Sequence, residues 1–192
     1  ALGHWESSKI EPWQKDEAER REKESHNHTV HRTQNIAYFT PRLTTIREGS
    51  EEGALAWAAI VYQGFCYAIE NVPGARERLV SVTNDEIADA CVEGFIRYVE
   101  NPTIPTKEAV IESWHANSIP YTHILLSLSV FLRLNVGMSV PTEALPPCIA
   151  AVVTACHAGD KVPGYDKTLS GSMLQEARQH PAIVRSVLND MW

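Results

Sequence analysis

Closely spaced cysteines are missing from this chain. Cys66, Cys91, Cys148 and Cys156 form no CxxC pair, and each lies in an apolar stretch. That excludes a compact zinc knuckle or a disulfide framework and reads as reduced core thiols of a cytoplasmic protein. Long hydrophobic runs are missing too. The longest, Ile124 to Leu134, carries Arg133 and is about half of what a membrane span needs. The opening residues, Ala1 to Lys9, are polar and lack the order of a signal peptide. No Lys/Arg-rich block occurs, and 17 basic against 24 acidic residues leave a net charge of −7, so a nucleic-acid partner is not expected. Period-two alternation is absent over any useful length. The one candidate strand, Leu79-Val80-Ser81-Val82, is short and directly precedes a cap signal.

What is present is helical spacing. With 192 residues, 44% hydrophobic and 21% charged, the chain can build a real core. Residues 9–24 (KIEPWQKDEAERREKE) hold acid-before-base pairs four apart, at Glu11/Lys15, Asp16/Arg20, Glu17/Arg21 and Glu19/Lys23. This is a solvated helix with Ile10, Trp13 and Ala18 as its few apolar anchors, and Ser25 to His31 is expected to weaken it. Residues 33–48 regain core spacing at Ile36, Phe39, Leu43 and Ile46, with a kink at Thr40-Pro41 and a stop at Gly49. Glu52 to Ile69 reads as the strongest helix, ended by Asn71 to Gly74.

Thr83-Asn84-Asp85-Glu86 reads as a capping box, Thr at the cap and Glu three later. The helix behind it buries Ile87, Cys91, Phe95 and Tyr98 and stops at Asn101-Pro102. Thr106, Pro120 and Thr142 open further helices, the last ending at His157. Ser172 to His180 and Pro181 to Trp192 close the chain, with Ile183, Val184, Val187 and Leu188 as the final core face. The expectation is all-α, about nine helices in an irregular HEAT- or armadillo-like stack. Residues 1–32 form a charged connector helix and residues 33–192 one helical-repeat domain. The missing initial Met and the terminal Trp192 read as a fragment of a longer protein.

Chemistry-bearing residues are sparse. His26, His28 and His31 are good metal-ligand types, but only His28 and His31 share a helical side, and no HExxH accompanies them. A metal-dependent hydrolase built on this cluster is the alternative to a non-enzyme. Gly159-Asp160-Lys161-Val162-Pro163-Gly164 spaces two glycines like a phosphate loop. Tyr165-Asp166 then stands where Lys-Ser/Thr is required, so ATP or GTP binding is not expected. Cys156-His157 are helical neighbours about 100° apart and cannot form a dyad with each other. Ser170-Gly171-Ser172 lacks the nucleophile-elbow pattern. Trp114, His115, Tyr121 and His123 could line a small-ligand pocket. Trp5 and Trp13, eight apart with Ile10 between them, could dock on a neighbouring domain or on a second copy as a weak homodimer. No catalytic set, cofactor or metal is assigned.

Several short segments carry a family resemblance. They are Ile46-Arg47-Glu48-Gly49 with Ala54-Leu55 and Ile60-Val61-Tyr62; Pro73 with Arg76-Glu77-Arg78-Leu79; Asp85-Glu86 with Ala90 and Glu93-Gly94; Ile104-Pro105 with Glu108 and Ile111; and His180-Pro181 with Val184, Val187 and Leu188. Over residues 10–192 the chain resembles the helical-repeat region of large bacterial NACHT-type and related STAND NTPases, many of them associated with defence. The resemblance implies a sensing or scaffolding piece of a multidomain protein. Its nucleotide-binding motifs are absent from this chain, so no catalytic residue is carried over.

Overall fold

A computed structural model describes residues 12–65, 72–118, 120–157 and 175–192. Among them there is no strand, and the all-α expectation holds. The first helix, α1, runs Pro12–Phe39 without interruption. The weakening expected at Ser25 to His31 does not occur. That segment holds neither Gly nor Pro, and Ser, His, Asn and Thr cost only a few tenths of a kcal/mol each in a helix. Thr40-Pro41 then forces the change of direction that its chemistry requires, through a 3₁₀ turn Thr40–Arg42 into α2, Leu43–Arg47.

Gly49 closes α2 at φ 81°, where a Cβ would lie 2.9 Å from the backbone of Arg97 and Tyr98. α3 is Glu52–Gln63, shorter than the expected run to Ile69. Gly64 adopts φ 84°, its N–H donates to Val61 O, and Phe65 N–H donates to Ile60 O, a Schellman stop. The valine-containing stretch before residue 83 is the last turn of a helix, α4, Ala75–Val82.

α5 is Asp85–Arg97, continued by a 3₁₀ turn Tyr98–Glu100. Its N-cap is Asn84 rather than Thr83: Asn84 Oδ1 accepts from Ile87 N–H at 2.9 Å. The buried Thr83 hydroxyl donates backward to Leu79 O, satisfying one of the orphan carbonyls of α4, so no capping box forms. α6, Lys107–His115, has the expected Thr106 cap, at 3.3 Å from Ala109 N–H. α7 is Tyr121–Asn135, and α8 is Leu145–His157. Thr142 opens a 3₁₀ turn after Pro141 instead of capping α8. Residues 175–179 are helical, and α9 is Pro181–Met191. The core face of α9 is Val187 and Met191, with Ile183 and Val184 half-buried; Leu188, expected inside, is exposed.

The core is continuous. α3 packs on α7, α2, α4 and α7 pack on α5, and α6, α7 and α9 pack on α8. Small residues permit this crowding: Ala54, Ala58 and Ala59 of α3, Ala88, Ala90 and Gly94 of α5, and Ala150 and Ala151 of α8 are all buried. Large side chains, among them Leu55, Phe95, Tyr98, Leu125 and Leu145, fill the remaining space.

Candidate functional site

α1 is anchored to the body through its C-terminal end. Phe39 is buried and its ring meets Trp57 of α3 at 5.4 Å. One turn and two turns before it, Asn35 Nδ2 donates to Val82 O at 3.1 Å and Arg32 Nε donates to Thr83 O at 2.7 Å. Both bonds fall on carbonyls at the C-terminus of α4, which have no partner within that helix, and a cation there also meets the negative end of its dipole. Every described side chain from Asp16 to Gln34 is exposed, Glu17 apart.

The charges on this outer part bond mainly among themselves. Glu17 accepts from Arg20 at 2.7 Å and from Arg21 at 2.8 Å, and Arg20 also reaches Glu24 at 3.1 Å. The two guanidinium groups hold the Glu17 carboxyl below its ordinary range. Exposed pairs of this kind, open to solvent screening, support the helix only weakly.

A groove of about 790 Å³ opens between α1 and the body. Its floor is apolar: Trp57 and Val61 of α3 and Val82 of α4. Its wall is one stripe of α1, at Arg21, Glu24, His28, His31 and Asn35, which recur every three or four residues. His26, by contrast, lies about 160° around the helix from His28, computed at 100° per residue. Of the three histidines the structure therefore brings two to the groove. Among the described residues no group of three His, Cys, Asp or Glu stands ready to hold a metal ion.

The four candidate pocket residues do not share one setting. His115 and Tyr121 are exposed, Trp114 is half-buried against the core, and His123 is buried. None of them lines the α1 groove. Among the described residues His123 Nδ1 has no hydrogen-bond partner, and desolvation lowers its pKa below the ordinary value, favouring the neutral imidazole. Cys91 and Cys148 are buried and unpaired. Burial pushes the Cys91 thiol up to about 12 and the Cys148 thiol further still, which makes them poor nucleophiles. Trp5, Ile10, Cys66, residues 159–164 with their two spaced glycines, and Ser170-Gly171-Ser172 lie outside the described residues, as do the side chains of Trp13, Cys156 and His157.

No family model, curated protein or solved structure matches this chain.

Sequence reasoning missed the groove because it ended the first helix near residue 25. The available signal was the lack of any Gly or Pro between Pro12 and Pro41, which lets one helical stripe run from Glu17 through Asn35.

Proposed function

We propose that the chain is a helical protein-interaction module, without catalytic activity of its own, and that α1 and the groove beside it are its docking surface. The observation that carries this reading is the setting of α1. It is 28 residues long, about 42 Å at 1.5 Å per residue, and its last turns are held by the body while the described side chains further out are exposed apart from Glu17. A charged helical segment with few apolar anchors is marginal in water by itself. A polar stripe facing an apolar floor across an open groove is the arrangement that accepts another helix. The helix-on-helix body gives this surface a rigid support, consistent with a HEAT-like stack. The family resemblance adds the context of a scaffolding or sensing part of a larger bacterial NTPase-like protein, working in the cytoplasm.

Site-specific photo-crosslinking tests the reading. A photoreactive residue at Asn27, which lines the groove, is expected to give a covalent adduct with a polypeptide identifiable by mass spectrometry. The same residue at Val30, which is exposed and does not line the groove, is expected to give little. Trp57→Glu, which places a charge in the floor, is expected to reduce the Asn27 adduct severalfold. Equal yields from positions 27 and 30, or no polypeptide adduct from either, would overturn the proposal.

A further inference from the structure

We infer that the groove receives the outer half of α1 from a second copy of this chain, laid antiparallel so that paired positions sum to 45. The inference rests on the docking surface proposed above and names its occupant. It starts from a match of length. The groove wall is the α1 stripe from Arg21 to Asn35. In the antiparallel register, Arg21 to Thr33 face residues 24 to 12 of the second copy, the outer half of its α1, whose described side chains are exposed apart from Glu17.

Charge complementarity selects this register. The stripe that lines the groove continues outward, at the same helical spacing, to Glu17. With positions summing to 45, Arg21 faces Glu24 of the other copy, and the two-fold axis repeats the contact as Glu24 facing Arg21. Glu17 faces His28 in the same way, also twice. No acid meets an acid and no base meets a base among these stripe positions. A register that shifts every pairing by three residues, summing to 48, would place Glu24 on Glu24. The contact is isologous and closes on itself, as a two-fold dimer requires.

Sedimentation equilibrium of the full chain provides the test. The wild-type chain is expected to be a reversible dimer. Arg21→Glu and Glu24→Arg, each alone, put two like-charge contacts at the interface and are expected to weaken it about tenfold. The double variant R21E/E24R restores opposite charges and is expected to return to within about threefold of wild type. Far-UV circular dichroism checks that α1 stays helical in each. Because the single variants also disturb the bonds of Arg21 and Glu24 within α1, a covalent readout accompanies them. Glu17→Cys combined with His28→Cys is expected to form a disulfide-linked dimer on mild oxidation, since eleven residues of helix separate the two positions within one chain. A double variant as weak as the singles, together with no covalent dimer, would overturn the register. A wild-type chain monomeric at all concentrations would overturn the second copy as occupant. In that case a position-27 adduct with a different polypeptide would still uphold the docking surface.

Discussion

Gly94→Ala is expected to destabilise the protein by about 3 kcal/mol, lowering the thermal midpoint by about 10 °C. Two opposing effects meet at this position. In a helix interior alanine is favoured over glycine by about 1 kcal/mol. Here, however, a Cβ would fall on the carbonyl oxygen of Ile46 and within 2.9 Å of Leu55 Cδ2. The first obstacle is backbone and cannot rotate away, so α5 must back off from α2 and α3 together. Ile46, Leu55 and Phe95 are fully buried around this crossing and lose contact as it opens. The clash therefore outweighs the propensity gain. Gly53→Ala provides the control. It lies in the first turn of α3 with nothing within 4 Å of an added Cβ, and it is expected to stabilise by about 0.5 kcal/mol. Urea unfolding of both variants checks the pair. A neutral Gly94→Ala would mean that α2 and α5 do not pack this closely.

Arg133→Met is expected to cost about 3 kcal/mol, measured by the same urea unfolding. Arg133 is one of the few charged residues of the core, 6% exposed. Its guanidinium donates to Ser139 O at 2.6 Å and to Ile96 O at 3.1 Å, and it pairs with Glu100 at 2.7 Å. One side chain thus ties the C-terminal end of α7 to the C-terminal end of α5 and to the loop that leads on to α8. Methionine keeps much of the apolar volume, so the loss isolates the polar contacts. Ser139 O and Ile96 O lose their charge-assisted donor, while Glu100, about half-exposed, returns to water. Lysine would keep the charge without the planar fork, and Arg133→Lys is expected to fall between wild type and Arg133→Met. A loss under 1 kcal/mol for Arg133→Met would contradict this account of the α5–α7 junction.

The fold class was legible because apolar spacing is strong where helices are buried on one side. The element ends were legible where one residue type dominates: Pro41, Gly49 and Thr106 act as their chemistry dictates. Where two residues competed, local rules were insufficient. Thr83 and Asn84 can both cap, and the outcome turned on Thr83 being buried against α4, a tertiary fact. Gly64 inside an apolar run was read through, although a glycine with φ 84° ended α3 there. The groove was half-legible. Residues 9–24 were recognisable as a charged helix lacking enough apolar surface to pack. That the same helix continues to Phe39 was signalled by the lack of Gly or Pro before Pro41, but that its stripe faces Trp57, Val61 and Val82 across a groove depends on where α3 and α4 pack, which no local pattern encodes. Arg133 lay hidden for a similar reason. A lone arginine in the run Ile124 to Leu134 signals that the run is not a membrane span, but not which carbonyls it binds.

The central claim is that the outer half of α1 is a docking element and no part of the core. Thermal unfolding of the chain lacking residues 1–24 tests it most directly. The account predicts a single cooperative transition within about 5 °C of the full chain, because Arg32, Asn35 and Phe39 still anchor the remaining part of α1. A shortened chain that fails to fold, or that melts without cooperativity, would show that the segment belongs to the core and would contradict the docking role.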